Sequence, residues 1–449
     1  MGYFVVEGGS RLSGTVTVTG NKNEALPVIA AALLTNKAVR LGNVPDIGDV
    51  RNMLEIASQL GAAVVGKGEN EYEITAASIG TSELPIALSN RIRASILFAS
   101  SLLVRTGRAV ITQPGGDYIG RRRLDTHFLV FRALGAELEI ERKMSSSDVT
   151  RETAFILTAP EGGLRGADIY LDEASVTATE NALIAAAGAR GKTVIANAAS
   201  EPHVQGLCRF LQAMGVAIEG VGSNLLTVHG RGDFGAAKHE IGCDFIEAGS
   251  FVGLAAVTDS DLTIAGVDTG IMRMILFQFE RIGVVADADP AGRTLRVFGN
   301  QPLKVRKDLG GAIPRIEDSP WPGFPTDMMS ILLVCATQSE GTCLIHEKMF
   351  ESRLFFVDKL IGMGASIVLC DPHRAVIVGK SQLYGASISS PDIRAGMALL
   401  IAAIAAQGTS VIHGIEQIDR GYQQIDARLN ALGAKIERAA LKRADDFKA

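Results

Sequence analysis

One signature, an apolar residue, Gly, a small residue and then an aliphatic one, recurs six times along this chain of 449 residues. It reads Leu60-Gly61-Ala62-Ala63-Val64, Leu134-Gly135-Ala136-Glu137-Leu138 and Met214-Gly215-Val216-Ala217-Ile218. It returns as Ile282-Gly283-Val284-Val285, Met363-Gly364-Ala365-Ser366-Ile367 and Leu432-Gly433-Ala434-Lys435-Ile436. Glycine accepts the left-handed backbone that caps a helix, so each copy predicts an amphipathic helix stopping at Gly and a strand starting at once. The six glycines lie about 70 to 80 residues apart, longer than most solenoid repeats. An Ala/Leu-rich run and a Gly-x-x-Val-Ile strand precede the signature, as in 182–195, 331–345 and 399–412. Those runs are apolar all round, which predicts a central buried helix in every unit.

Two lobes of three units are the natural grouping, with chemistry expected in the cleft between them. The chain is expected to cross over near Gly230-Arg231-Gly232-Asp233-Phe234-Gly235. That segment also fits G-x-G-x-x-G, but no helical apolar pattern follows it, so it reads as a linker and not as a dinucleotide loop.

Other classes fit less well. A net charge of −5 gives no general footprint for nucleic acid. The segment Met1–Glu7 lacks a signal peptide's basic and apolar regions, and the longest apolar runs, such as Met397–Ala406, are half a bilayer span. A cytoplasmic protein without membrane partners is expected. Cys208, Cys243, Cys335, Cys343 and Cys370 are scattered without a CxxC, which reads as free thiols. The histidines are isolated, and no Walker A loop or G-x-S-x-G elbow occurs, so neither a metal nor a cofactor is expected. The charged tail from Arg438 reads as a surface appendage, and the sequence leaves the oligomeric state open.

Polar clusters open the central helices: Asn21-Lys22-Asn23-Glu24, Arg91-Ile92-Arg93-Ala94-Ser95, Ser175 to Asn181, Asp244 to Glu247, Thr326-Asp327 and Asp392-Ile393-Arg394. Capping accounts for Ser175, Thr326 and Asp392. It does not account for Lys22, Arg93 or Arg394, because a cation at a helix N-terminus opposes the macrodipole. An anionic substrate held by these cations resolves the conflict. The loop from Pro114 to His127 is glycine-rich and then basic, the composition of a segment that closes over a ligand.

These residues resemble the enolpyruvyl transferases. The likeness is carried in order by Gly20 to Pro27, Asn90 to Ser95, the Gly115 to His127 loop, Pro322 to Asp327, Phe350-Glu351-Ser352-Arg353, Asp392 to Ala395 and Asp419-Arg420-Gly421-Tyr422. The resemblance implies a two-lobed inside-out α/β barrel, an inverse αβ prism, with lobes of 22–230 and of 1–21 plus 231–449. It implies transfer of the enolpyruvyl group of phosphoenolpyruvate to the 3-hydroxyl of UDP-N-acetylglucosamine, with release of phosphate, at the first committed step of peptidoglycan synthesis. Carried over by position, Lys22, Arg122 and Arg420 hold the phosphate of phosphoenolpyruvate, and Arg353 and Arg394 its carboxylate. Asp327 orients or deprotonates the sugar hydroxyl, and Asp117 is the general acid. Asn23, Arg93, Arg123, Leu124, Asp125, His127, Ser175, Val176 and Met349 line the UDP-sugar site.

The acid position is a departure, since many members of the family carry Cys where this chain has Asp117. A free thiol titrates near 8.5 and a free aspartate near 3.9, so an aspartic acid in that role must have its proton held up by desolvation and the bound phosphate. An acid-shifted pH–rate profile relative to Asp117→Cys is expected, and superimposable profiles would remove Asp117 from the role. Insensitivity to fosfomycin, which alkylates the family's Cys, is expected as well. Arg123, Glu173, Thr177 and Phe245 also depart from common residues. They leave open a different nucleotide acceptor, of the nucleoside-antibiotic type. A non-catalytic repeat protein that binds nucleotide-sugars is a further alternative.

Overall fold

All six signature glycines adopt the left-handed backbone, with φ between 86° and 107°. In the computed structural model, which describes all residues except 1, 118, 121, 145–150, 290–292 and 441–449, an amphipathic helix stops just before each glycine and a strand starts within four residues after it, except that in the fourth copy the chain turns at Arg281–Gly283.

The six copies build six sheets, five four-stranded and one three-stranded among the described residues. The third shows the plan. Asp168–Tyr170 runs parallel to Lys192–Ala196, because the central helix Val176–Gly188 crosses between them. Lys192–Ala196 then pairs antiparallel with Leu225–His229, and that strand with Ala217–Glu219. The other sheets repeat this order. In the second, the parallel strand shrinks to a bridge between Glu83 and Val110. Three copies borrow strands from afar: Ala237–Glu240 completes the first sheet, Ser13–Thr17 the fourth and Gly2–Glu7 the sixth.

By contacts the chain divides into a C-terminal half, Met1–Thr19, Asp117–Arg121 and Cys243–Ala449, and an N-terminal half, Gly20–Gly116 and Arg122–Gly242. Residues 231–242, expected with the C-terminal lobe, lie in the N-terminal half because Ala237–Glu240 pairs with Ala38–Gly42. The segment 117–121 goes with the other half, where Ser352 N–H donates to the Ile119 carbonyl at 3.1 Å. In each half the central helices lie inside and the sheets outside, as separate sheets and not as one closed barrel. The helices Phe245–Val257, Thr326–Gln338 and Ile393–Ala405 are buried along nearly their whole length and touch one another pairwise, as their all-round apolar sequences require. Residues Arg438–Ala440 finish a strand, Lys435–Ala440, and do not begin an appendage; the rest of the expected tail, 441–449, lies outside the described residues.

The segment Gly230–Gly235 leads into a strand, not a helix, so it offers no helix N-terminus to a phosphate. Its first glycine has a packing role. A Cβ on Gly230 would stand 1.9 Å from the Ala189 carbonyl oxygen and 2.7 Å from that of Ala186, at the end of a central helix. Gly8 and Gly379 meet the ends of their own central helices in the same way. Gly230→Ala is expected to destabilise the fold by about 1–3 kcal/mol through overpacking against backbone that cannot yield. The neighbouring Gly232→Ala, with nothing among the described residues within 4 Å of its Cβ, is the control. Urea midpoints that fall together for the two variants would refute the close approach.

Candidate active site

In the C-terminal half, one carboxylate gathers two buried arginines. Asp327 is the second residue of the helix Thr326–Gln338. Arg353 donates from Nη2 to its Oδ1 at 2.7 Å, and Arg394 from Nε to its Oδ2 at 3.1 Å. Both arginines are only 3–4 % exposed. Burial alone would favour discharging Arg353, but Asp327 first, then Asp392 and Glu347, all ionised at the pH where an arginine titrates, outweigh it and raise its pKa. The pKa of Arg394 is raised likewise, against burial, by Tyr422, Asp327 and Asp244. Arg394 sits in the first turn of Ile393–Ala405, where a cation is disfavoured. Asp392 caps that turn through the N–H groups of Arg394 and Ala395 at 2.8 and 2.9 Å. After these bonds, the buried Arg353 Nε and Arg394 Nη1 still have no partner among the described residues.

Asp117 joins the same half. Arg420 donates from Nη1 to its Oδ1 at 2.5 Å and to Gln417 Oε1 at 2.8 Å. Asp117 lies close enough to Asp392 to raise the pKa of that carboxyl, where burial is the larger cause and Arg353 works the other way. Asp117, Arg420, Asp392, Arg353, Asp327 and Arg394 therefore form one linked constellation. Met349 is 38 % exposed and lies two residues after Glu347, a buried carboxyl with no mark in the sequence. Thr326 is not the expected cap. Pro325 holds the N-cap position, and the Thr326 hydroxyl donates to Glu347 instead. Phe245 is core, its ring 6.0 Å from that of Trp321.

In the N-terminal half, Lys22 opens the helix Lys22–Ala31, with Asn23 beside it and Asn21 as the cap, and pairs with Asp49 at 3.3 Å. Arg93 donates to the carbonyls of Arg122 and Arg123 at 2.9 and 2.7 Å, which fixes the backbone where the basic loop returns. Burial, and then Arg122, push the Arg93 pKa down to about 10, against the pull of Glu173. Arg123 binds Asp125 at 3.0 Å and approaches Asp172 at 3.7 Å. Leu124 is buried and leads into the helix Asp125–Ala133. Ser175 caps Val176–Gly188, accepting from Ala178 N–H at 3.3 Å. Arg93, Arg122, Arg123, Asp125, His127 and Thr177 are thus linked, whereas the bond shown for Lys22 is to Asp49.

His127 is the informative member. Asn181 uses its amide to donate to the Ile96 carbonyl at 3.3 Å and to His127 Nδ1 at 2.8 Å. The imidazole hydrogen is therefore on Nε2, where it meets the Thr177 hydroxyl at 3.3 Å. Burial first, then Arg93 and Arg122, push its pKa down to about 3, so the ring stays neutral. Between about pH 6.5 and 3 the unfolded chain takes up a proton that the native ring refuses. Native stability should fall in that window by about 1.4 kcal/mol per pH unit from this one group. Urea titrations of the protein and of His127→Asn across pH 4 to 7 read the difference, and parallel curves would show that His127 titrates normally.

A model of the EPSP synthase (3-phosphoshikimate 1-carboxyvinyltransferase) family matches residues 6–429, and the chain belongs to that family of enolpyruvyl transferases. It is 54% identical over 435 residues, 97% of each chain, to a protein of Bradyrhizobium diazoefficiens named UDP-N-acetylglucosamine 1-carboxyvinyltransferase. A protein of the same name from Treponema denticola is 52% identical over 97% of this chain and 99% of its own. Among solved structures, the enolpyruvyl transferase NikO of Streptomyces tendae superposes with a TM-score of 0.84 at 24% identity, covering 98% of this chain and 99% of that one. An EPSP synthase of Acinetobacter baumannii gives 0.72 at 18%, covering 98% and 100%. Those two share the fold. No described helix is long and apolar enough to cross a membrane.

Proposed function

We propose that this protein transfers the enolpyruvyl group of phosphoenolpyruvate to the 3-hydroxyl of UDP-N-acetylglucosamine, releasing phosphate, as the first committed step of peptidoglycan synthesis in the cytoplasm. The observation that carries the donor half is the pair of unpartnered nitrogens, Arg353 Nε and Arg394 Nη1, buried around Asp327. Unpartnered buried charged donors are costly, and a carboxylate supplies what both lack. The acceptor half rests on relatives of that name at 54% and 52% identity over nearly the whole chain.

In this reading Arg353 and Arg394 hold the carboxylate of phosphoenolpyruvate, and Lys22, Arg122 and Arg420 its phosphate. Asp327 accepts the proton of the sugar hydroxyl as that oxygen bonds to C2 of phosphoenolpyruvate. Asp117, released by Arg420 when that arginine takes the phosphate and protonated beside the phosphate dianion, delivers its proton to C3, giving a phosphorylated ketal. Loss of a C3 proton and of the phosphate restores the double bond. Fixed cations already in place stabilise the charge that moves. Asn23, Arg93, Arg123, Leu124, Asp125, His127, Ser175, Val176 and Met349 receive the nucleotide-sugar.

Phosphate release from phosphoenolpyruvate, with UDP-N-acetylglucosamine or UMP as acceptor, tests the reading. Release with the nucleotide-sugar alone is expected. Release with UMP alone would transfer the case to a nucleoside acceptor. Release with neither would leave a nucleotide-sugar-binding protein without this chemistry.

A further inference from the structure

Glu347 lies at the end of the strand Gly341–His346, is fully buried, and has no role among the residues assigned to the chemistry. Its Oε1 accepts from Met349 N–H at 3.2 Å and Phe350 N–H at 3.1 Å, and the Thr326 hydroxyl donates to the same carboxyl, 3.1 Å from Oε1 and 3.0 Å from Oε2. It therefore ties the turn that leads to Arg353 to the first residue of the helix that carries Asp327. Its backbone is fixed by His373, which donates from Nδ1 to the Glu347 carbonyl at 2.7 Å and accepts the Glu347 N–H at 2.8 Å. Beside it stands Asp318, also fully buried. Asp318 Oδ1 accepts from Lys348 N–H at 2.5 Å, but Oδ2 has no donor among the described residues. Two buried carboxylates in contact are stable only when they share a proton. With Oε1 taken by two backbone donors, a proton shared between Glu347 and Asp318 supplies what Asp318 Oδ2 lacks.

We propose that Glu347 is a positioning residue for the donor site, a protonated carboxyl that bonds to Asp318 and holds the Asp327 and Arg353 segments in register, so that its ionisation weakens phosphoenolpyruvate binding. The proposal rests on the reading of Arg353 as a carboxylate ligand. The groups facing Glu347 are Asp318 on the preceding segment, Thr326 on the helix, Arg353 after the turn and His373 on the adjoining turn. His346 and Lys348, its chain neighbours, turn to Glu317 at 3.6 and 3.2 Å. Burial, and then Asp318, push the Glu347 pKa up to about 8, with Arg353 and Thr326 opposing. Above that pH a new anion appears next to Arg353 and competes for it with the substrate carboxylate.

The test is the KM for phosphoenolpyruvate, at saturating UDP-N-acetylglucosamine, from pH 6.5 to 9.5. The protein should show a KM rising by about tenfold per pH unit above pH 8, the behaviour of one ionising group. Glu347→Gln, which keeps the acceptor and a permanent donor toward Asp318, should hold KM flat with kcat little changed at pH 7. Glu347→Leu should raise KM at every pH, and Gln must rescue what Leu loses. If Leu fails to fold, the slope in the Gln variant alone decides. A KM slope that persists in Glu347→Gln overturns the proposal. Arg353→Ala separates the two layers. If it leaves KM for phosphoenolpyruvate unchanged, the reading of Arg353 fails first. If it raises KM while Glu347→Gln keeps the wild-type slope, only the role of Glu347 fails.

Discussion

Asp327→Asn is expected to lower kcat for phosphate release by about 10²–10⁴-fold, the range for loss of a general base. KM for phosphoenolpyruvate should stay the same or fall. The split follows from the geometry. In the free protein the Asp327 carboxylate is the shared acceptor of Arg353 and Arg394. An asparagine offers one acceptor oxygen and no charge, so two buried guanidinium groups lose their common counter-ion. A carboxylate-bearing substrate then gains, because the two guanidinium groups that hold it are no longer neutralised by the anion between them. Without substrate the variant should lose stability, by about 3–5 kcal/mol where a buried pair is broken on one side. Saturating phosphoenolpyruvate should return part of that loss. Steady-state kinetics and melting curves with and without phosphoenolpyruvate measure both effects. A kcat within tenfold of the parent would remove Asp327 from proton transfer.

Fosfomycin should neither inactivate the protein nor leave an adduct on the Asp117 peptide, and Asp117→Cys should become sensitive to it. Opening an epoxide calls for a strong nucleophile, and a thiolate is far better than a carboxylate. Asp117 is, besides, held by Arg420. The chain's own thiols offer no substitute. Burial pushes Cys208 and Cys343 up to about 12 and Cys243 to about 11, and Cys335 higher still. Cys370 is exposed, but on the strand Ile367–Asp371, so an adduct there would not follow the loss of activity. Intact-protein and peptide mass spectrometry after incubation, with residual activity, decide the matter. Time-dependent inactivation of the unaltered protein, with an adduct at Asp117, would sink this expectation.

How much of this was legible in the sequence depended on whether the cause was local. A helix-capping glycine acts within one turn, so all six units showed themselves in the signature at Gly61, Gly135, Gly215, Gly283, Gly364 and Gly433. The close approach of Gly8, Gly230 and Gly379 to helix ends left no comparable mark, because the atoms they meet belong to another part of the repeat. Lys22, Arg93 and Arg394 stood out because each opposes a helix dipole, a conflict visible from the chain itself. Thr326 misled for the same reason. As Ser or Thr at a helix start it reads as a cap, and only the folded chain brings Glu347 to its hydroxyl.

By itself, the sequence determined the number of units, the buried central helices and the residue types at their starts. Each of these follows from backbone preference and apolar periodicity over a few turns. Tertiary structure alone decided which charges share a partner. Arg394 reaches Asp327 across 67 residues, and Arg420 reaches Asp117 across 303. It also decided that the strand Ala237–Glu240 closes the first sheet, and that Asp318 stands beside Glu347. The physical reason is that a charge's energy is set by whatever the fold brings within a few ångströms of it, and separation along the chain does not fix that distance.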